Sequence, residues 1–120
     1  MASKARPADH RKSLAQARVE AGEVAFGSRA ALADWIGAHR SQITRAAAGQ
    51  ELGGDEGWLL ASLAAVVTAL LGLLEPDAVP GWLHGNNPHL NDRRPIDVLA
   101  AGDVAAVMAA IQATRTGVFA

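Results

Sequence analysis

The chain has 120 residues, half of them apolar, and a formal net charge of −1. This length allows one compact domain with a single core. The absence of cysteine excludes disulfides and thiolate zinc sites, so nothing points to an oxidising compartment and we expect a cytoplasmic protein. Because Tyr is absent, Phe is scarce and Ala, Leu and Val dominate the apolar residues, we predict an all-α fold.

The charge is distributed unevenly along the chain. Residues 1–45 carry eight Lys or Arg and four Asp or Glu, a balance of +4, whereas the remainder carries three and eight, a balance of −5. A basic segment suits a polyanion, while an acidic and apolar segment suits a protein surface. We expect a disordered basic tail over residues 1–10 and a helical region over residues 11–54. The alternative is that the amino-terminal cations are merely solvated.

A helix-turn-helix is predicted within residues 28–49. Such a motif needs a small residue in its first helix, a turn residue that tolerates positive φ, and an apolar anchor in its second helix. The residues that meet these demands are Ala33, Gly37 and Ile43. Ser28 suits the N-cap, Leu32 and Ile36 form the inward stripe of the first helix, and Gly49 is placed to end the second helix.

The second helix of this motif carries polar side chains on its outward face. They are Arg40, Ser41, Gln42, Thr44 and Arg45. Gln can bond an adenine edge, Arg can bond guanine or phosphate, and Ser and Thr can reach backbone or base. The pattern therefore predicts a DNA-binding helix for the major groove. The alternative is a helical hairpin that only packs, because an Ala and Gly pair at this spacing arises readily in an Ala-rich chain.

Residues 57–74 form an uncharged apolar run in the middle of the chain. As a helix it would be about 27 Å long, just short of a hydrocarbon core of about 30 Å. The acidic residues on both flanks differ from the basic and aromatic anchors of membrane helices, so we predict a buried central helix and no membrane partner.

The two sides of this central helix differ in size. Its inward stripe is predicted to contain Leu59, Leu63, Val66, Leu70 and Leu74. The shallower side contains Ala61, Ala64, Ala65, Thr68 and Gly72. A helix that is apolar most of the way round exceeds what so small a protein can bury, which indicates a self-associating or partner-binding surface.

Two further helices are predicted after a polar, proline-punctuated turn that begins near Trp82. Pro95 suits the first position of a helix, and Gly102 and Asp103 would end it and cap the next. The inward residues of the first of these helices are Ile96, Val98 and Leu99. Those of the last helix are Val104, Val107, Met108 and Ile111, with its end near Arg115 and Gly117.

The arginines before Pro95 lie where positive charge opposes the helix dipole. Arg93 and Arg94 are therefore expected to have an acidic partner, either Asp97 or a group on another molecule. Beyond the last helix the chain finishes in apolar residues, which predicts that this tail contacts another protein.

No catalytic residue, metal site or cofactor is predicted. His84 and His89 lie near several Asn and Asp residues, but in a Gly-Asn-Pro loop without the spacing of a zinc site. The sequence has no phosphate-binding Gly-rich loop, no cysteine nucleophile and no carboxylate pair that can be assigned to a cleft.

The order of these features from Arg29 onward resembles the Xre/MbcA/ParS antitoxins. The motifs on which this resemblance rests are the helix-turn-helix, the long apolar helix, Trp82-Leu83, Asn87-Pro88, Arg93-Arg94-Pro95-Ile96-Asp97-Val98-Leu99 and Gly117-Val118-Phe119-Ala120. Members of that family pair with toxins of the RES class, which degrade NAD. The antitoxin packs its carboxy-terminal domain over the toxin's active-site cleft, and the complex represses its own operon through the helix-turn-helix.

The resemblance implies a toxin-binding domain over residues 55–120 with a tail over 116–120. The implied toxin-binding residues are Arg93, Arg94, Pro95, Thr116, Gly117, Val118, Phe119 and Ala120. It also implies a RES-type toxin and operator DNA as partners, and a homodimer within a hetero-oligomeric complex. The alternative is a stand-alone transcriptional regulator whose carboxy-terminal half only dimerises.

Overall fold

The computed structural model describes residues 12–117, and within them it confirms the all-α prediction. The α-helices in chain order are α1 (Leu14–Phe26), α2 (Arg29–Ile36), α3 (Arg40–Ala47), α4 (Gly54–Leu71), α5 (Val79–His84), α6 (Pro95–Ala100) and α7 (Val104–Thr116). Two short 3-10 helices span Pro76–Ala78 and Pro88–Leu90. The predicted tail over residues 1–10 lies outside the described residues.

Helix α1 forms the support on which the helix-turn-helix rests. It begins with a capping box, in which the Ser13 hydroxyl accepts from the Gln16 N–H and the Gln16 side chain accepts from the Ser13 N–H. Its Gly22 allows α2 to approach closely, since a Cβ atom there would lie 2.6 Å from a methyl carbon of Leu32. The first helix of the motif is therefore seated directly on the backbone of α1.

The helix-turn-helix forms as predicted, with α2 and α3 as its two helices. Ser28 accepts from the Ala31 N–H at 3.1 Å and caps α2. Gly37 has φ +85° in the turn. The small and apolar residues predicted to face inward, Leu32, Ala33, Ile36 and Ile43, are all buried. Helix α3 ends at Ala47, and Gly49, with φ +109°, lies in the turn that follows.

Helix α4 is the predicted central helix, but it begins and ends three residues earlier than the apolar run. Its first turn includes Asp55 and Glu56, because carboxylates stabilise the positive end of a helix. The inward residues are Leu60, Ser62, Leu63, Val66, Val67 and Leu70. Leu59 and Leu74 are only partly buried, so the buried stripe is rotated slightly from the predicted one. By length and composition α4 could cross a membrane, although 39% of it is buried inside the protein.

The carboxy-terminal helices differ from the prediction in two places. Trp82 does not lie at the start of a turn. It belongs to α5, a helix that was not predicted from the sequence. Met108 faces outward with 38% of its surface exposed, and the smaller Ala110 takes the buried position instead. The other boundaries agree with the prediction: Pro95 starts α6, the Asp103 side chain caps α7 through the Ala106 N–H, and Gly117 ends α7 with φ +74°.

Both halves of the chain contribute to one hydrophobic core. Helix α1 packs most extensively against α4, and α4 also contacts α2, α5, α6 and α7. A polar link adds to this packing, because the His84 Nε2 atom lies 3.0 Å from the carbonyl oxygen of Ala25. The Phe26 ring contacts both the His84 ring, edge-on at 5.2 Å, and the Trp35 ring at 5.3 Å. These contacts join α5 to α1 and α2.

Candidate functional site

The loop between α5 and α6 is organised around Asn87, which is only 7% exposed. Its side-chain oxygen accepts from the His89 N–H at 2.8 Å, and its carbonyl oxygen accepts from the N–H groups of Leu90 and Asp92. Its own N–H donates to the Arg93 carbonyl oxygen at 3.0 Å. These hydrogen bonds of Asn87 fix the conformation of the loop, and with it the position of the backbone at Arg93.

Within that loop, Asn91 and Asp92 both have positive φ, at 57° and 61°. Asn and Asp are the non-glycine residues that tolerate this region best. These two left-handed residues reverse the chain direction just before Arg93. The turn therefore forms because an Asn and an Asp occupy the two positions that need positive φ.

The two predicted arginines have different local partners. Arg93 donates from Nε to the Leu90 carbonyl oxygen at 3.0 Å. Arg94 forms a two-pronged contact with Asp97, at 2.8 and 2.9 Å, of the kind that planar guanidinium and carboxylate groups favour. Asp97 was predicted as a possible partner of these arginines, and the structure confirms the ion pair for Arg94. Both arginines remain on the protein surface.

The Arg94 contact also changes the acidity of Asp97. Its hydrogen bond to the carboxylate, together with the positive charge, lowers the pKa of Asp97 below its ordinary value of 3.8, against a smaller opposing effect of desolvation. The same hydrogen bond and charge raise the pKa of Arg94. Both groups therefore stay ionised at neutral pH, and the start of α6 carries an internally neutralised charge pair.

The other predicted toxin-binding residues lie at the start of α6 and the end of α7. Pro95 is buried as the first residue of α6, so its side chain presents little surface to solvent. Thr116 is exposed, and its hydroxyl donates to the Ala113 carbonyl oxygen at 3.1 Å. Gly117 is exposed at the end of α7. Val118, Phe119 and Ala120 lie outside the described residues.

A groove of about 310 Å³ lies between α5, the Asn87 loop and the end of α7. Its walls include the Trp82 and His89 side chains on one side and Thr114 on the other. None of these residues was predicted as a site residue, although Trp82 and Asn87 belong to the motifs that carried the resemblance. These motifs were visible in the sequence, but helical periodicity alone did not show that residues of α5 and α7 line the same groove.

The five predicted DNA-contacting residues all lie on α3, and four of them are exposed. Arg40 and Arg45 form no ion pair within residues 12–117, whereas Arg18, Arg29 and Arg94 each pair with a carboxylate. Two arginines that project from one helix without a local carboxylate are suited to phosphate or guanine.

Gln42 is engaged within the protein. Its side-chain oxygen accepts from the His39 N–H at 2.8 Å and caps the start of α3, which also explains why it is only partly exposed. To bond an adenine edge it would have to give up this cap. The exposed residues among the five are therefore Arg40, Ser41, Thr44 and Arg45.

A known protein family matches this chain. The description "Antitoxin Xre/MbcA/ParS C-terminal toxin-binding domain" matches residues 48–117, which is more than half of the chain. No curated protein matches significantly.

Among solved structures, a chain in the crystal structure of the M. tuberculosis MbcT-MbcA toxin-antitoxin complex is similar. It has 25% sequence identity and a TM-score of 0.73, and the alignment covers 91% of this chain and 100% of that one. This similarity extends through the amino-terminal helices, beyond the part that the family description matches. The toxin-binding description therefore applies to the helices that hold the Asn87 loop, the Arg94–Asp97 pair and the groove beside α7. By these residues and this fold, the chain belongs to the Xre/MbcA/ParS antitoxin family.

Proposed function

We propose that this antitoxin neutralises a RES-type, NAD-degrading toxin by covering the toxin's active-site cleft with its carboxy-terminal domain and tail. The observation that carries the proposal is the match of residues 48–117 to the toxin-binding domain of the family. The Asn87 loop and α7 support it, because they hold Arg93, Arg94 and the start of the tail on rigid elements. Inhibition in this mechanism is steric, and it requires no catalysis by the antitoxin.

Burial of the tail supplies part of the affinity. Transfer of Val118 and Phe119 from water into a cleft contributes about 4 kcal/mol in total by the usual transfer estimate. Arg93 and Arg94 add charge complementarity at the rim, which affects specificity and association rate more than affinity. We further propose that two copies of the antitoxin associate within the toxin complex.

A truncation tests this mechanism. We expect a chain that lacks residues 116–120 to fold normally, as judged by circular dichroism and thermal unfolding, but to leave NAD consumption by the co-encoded toxin unchecked. The matched control is Arg40→Ala/Arg45→Ala, which should block the toxin like the natural chain. A truncated chain that still blocks the toxin would exclude the tail from the mechanism. It would favour the alternative of a stand-alone regulator if the full chain also fails to bind the toxin.

We also propose that α3 binds operator DNA and that the complex represses its own operon. The support is the helix-turn-helix geometry, with Arg40 and Arg45 exposed on α3 without carboxylate partners in the described part of the chain. Loss of both arginines should weaken operator binding by at least tenfold and reduce the salt dependence of the affinity, since each phosphate contact contributes to the salt slope. Fluorescence anisotropy at several salt concentrations measures both effects. The truncation of residues 116–120 is the control, and it should bind DNA normally.

A further inference from the structure

The groove between α5, the Asn87 loop and the end of α7 is a neutral and largely apolar recess, which we call the α5–α7 groove. Its volume is about 310 Å³, and the described residues that line it include no Lys, Arg, Asp or Glu. Trp82 and Pro88 contribute apolar surface to its walls. Gly81 leaves the groove open beside Trp82, because a Cβ atom at this position would meet no other atom within 4 Å.

Several polar groups around the groove already have partners within the protein. The Thr114 hydroxyl donates to the Ala110 carbonyl oxygen at 2.9 Å. The Asn87 side-chain oxygen accepts from the His89 N–H at 2.8 Å, as described above. An occupant would gain little from hydrogen bonds to groups that are already satisfied. The lining of the groove therefore favours an apolar segment.

The end of α7 is shaped to return the chain toward this groove. Gly117 has φ +74°, and its N–H donates to the Thr114 carbonyl oxygen at 3.2 Å. A left-handed residue at the end of a helix reverses the chain, and an apolar side chain after it commonly contacts the last turn of the helix. Thr114 belongs to that last turn and also lines the groove. The cap at Gly117 thus directs the chain back along this wall.

We infer that in the free antitoxin the α5–α7 groove holds residues 118–120 of the same chain, with the Phe119 ring beside Trp82. The inference rests on the proposed function, because it assigns a place to the tail before the tail enters the toxin cleft. Residues 118–120 lie outside the described residues, and their sequence, Val-Phe-Ala, is uncharged and apolar like the groove. Toxin binding then requires the tail to leave the groove.

The groove is within reach of Phe119. Thr114 lies three residues before Gly117, which is about 4.5 Å along the helix axis. Two extended residues span at most about 7 Å, so a chain that reverses at Gly117 can bring Phe119 back to the level of Thr114. There its ring can pack edge-on or offset against the Trp82 ring, which are the arrangements that aromatic pairs prefer.

The size of the groove selects the tail over a separate molecule. A specific contact between two proteins buries about 800 Å² on each partner, whereas a recess of about 310 Å³ offers room for little more than an aromatic ring. A tail that is joined to α7 does not need so large a contact, because the linkage gives it an effective concentration on the order of millimolar. A weak contact therefore suffices to dock the tail and still allows the toxin to displace it.

A docked tail changes the apparent affinity for the toxin. When only a fraction of the chains has a free tail, the apparent dissociation constant rises by the inverse of that fraction. Docking in about nine of ten chains would therefore weaken toxin binding about tenfold. The same contact keeps Val118 and Phe119 away from water, where exposed apolar side chains promote aggregation.

Fluorine NMR on the full chain tests the inference without the toxin. The sequence has two Phe residues, Phe26 and Phe119, so labelling with fluorophenylalanine gives two assignable resonances. We expect the Phe119 resonance of the natural chain to differ from its position in urea-unfolded protein. Gly81→Leu fills the open part of the groove and should move the Phe119 resonance to the unfolded position. Phe26, which contacts Trp35, is the internal reference.

Gly53→Leu is the matched control for Gly81→Leu. Gly53 also has open space around its Cβ position and a negative φ, but it lies at the start of α4. Gly53→Leu should leave the Phe119 resonance unchanged. Circular dichroism checks that both variants fold.

A second variant acts from the side of the tail. Phe119→Ala lies beyond the last helix and removes no residue from the described core. In a chain labelled with fluorotryptophan it should shift the resonance of Trp82, which lines the groove, and leave that of Trp58 in α4 unchanged.

Three NMR results would overturn the inference. The first is a Phe119 resonance at the unfolded position in the natural chain, and the second is a Phe119 resonance that Gly81→Leu leaves in place. The third is a Phe119 resonance that moves with protein concentration between about 20 and 500 μM, because the occupant would then be the tail of a second copy.

The affinity for the co-encoded toxin tests the competition directly. Gly81→Leu should bind the toxin about threefold to tenfold more tightly than the natural chain, because its tail is already free. Gly53→Leu should bind like the natural chain. Equal or weaker binding by Gly81→Leu would overturn the inference, since the groove would then either not compete for the tail or receive the toxin itself.

These measurements separate the inference from the antitoxin function. A Phe119 resonance that responds to Gly81→Leu, in a chain that does not slow NAD consumption, would support the groove assignment and contradict the antitoxin mechanism. Inhibition that depends on residues 116–120, with Phe119 at the unfolded position in the free chain, would support the mechanism and contradict the groove assignment.

Discussion

At the residue scale, Asn87 shows how one residue organises the loop between α5 and α6. Its side-chain oxygen, carbonyl oxygen and N–H all form hydrogen bonds within residues 87–93. Because it is 93% buried, water cannot replace the bonds that a substitution would remove. The adjacent Asn86 is exposed, so two neighbouring residues of the same type have very different roles.

This difference predicts opposite outcomes for two alanine substitutions. Asn87→Ala should lower the free energy of unfolding by about 1–3 kcal/mol, because the His89 N–H loses its acceptor in a buried position. Asn86→Ala should change it by less than about 0.5 kcal/mol. Urea titration monitored by circular dichroism measures both. Equal effects of the two substitutions would show that the Asn87 hydrogen bonds do not hold the loop.

The Arg94–Asp97 pair predicts a specific pH dependence. Because Arg94 lowers the pKa of Asp97 in the folded state, the stabilisation from this pair is present above the ordinary Asp pKa of 3.8 and is lost as the pH falls through the lower folded value. In Arg94→Gln the Asp97 pKa should rise toward its ordinary value. Carboxyl-carbon NMR titration of Asp97 measures this change, and an unchanged Asp97 pKa would contradict the pairing in solution.

At the scale of elements, the angle between α2 and α3 depends on the left-handed turn at Gly37. Its φ of +85° is unfavourable for any residue with a Cβ atom, although no neighbouring atom lies within 4 Å of where the Cβ would be. The constraint is thus conformational and not steric. Gly81 in α5 also has free space around it but lies in a regular helix, so it provides a matched comparison.

We predict that Gly37→Ala lowers the free energy of unfolding by about 1–2 kcal/mol, the usual cost of a left-handed conformation for an L-residue. Gly81→Ala should instead raise it by up to about 1 kcal/mol, because Ala favours a helix interior over Gly. Because α3 is the proposed DNA-binding helix, Gly37→Ala should also weaken the proposed operator binding by moving α3 relative to α2. Thermal unfolding and anisotropy measure the two effects, and stabilisation by Gly37→Ala would contradict the turn geometry.

At the scale of the whole molecule, the amino-terminal and carboxy-terminal helices share one core. Buried residues from α1, α2 and α3 lie in the same cluster as those from α4 to α7, and the His84 contact with Ala25 adds a polar link. A partner bound to either half therefore stabilises a common structure. Separate unfolding of α1, α2 and α3 would expose the side of α4 that packs against α1.

The shared core predicts a single cooperative unfolding transition. The three Trp residues, at positions 35, 58 and 82, report on different parts of the chain. After labelling with fluorotryptophan, the resonances of Trp35 and Trp82 should change at the same urea concentration. Leu32 is a fully buried residue of α2, and Leu32→Ala should lower the free energy of unfolding by about 2–5 kcal/mol. The urea midpoints measured at Trp35 and Trp82 should then fall together. A lower midpoint at Trp35 alone would show that the two halves unfold independently.

Much of the fold could be predicted because local chemistry determines it. Caps and left-handed glycines act within a few residues, so the ends of α2, α6 and α7 and the helix-turn-helix geometry followed from the sequence. The Arg94–Asp97 pair was accessible for the same reason, since the two residues are one helical turn apart. Helix α5 was missed because its Pro80 and Gly81 resemble turn residues, and because so short a helix depends on packing against α1, α4 and α6.

By itself, the sequence determined the all-α class, the helix-turn-helix, the apolar central helix and the family, because periodicity, caps and short motifs are local properties. Tertiary structure decided which side of α4 is buried, that Gln42 caps α3, and that Trp82, Asn87 and Thr114 meet at one groove. It also decided that α1 and α4 leave open a groove lined mainly by alanines. These outcomes depend on how helices that are far apart in the sequence pack against the same apolar surfaces. No local sequence pattern specifies that packing.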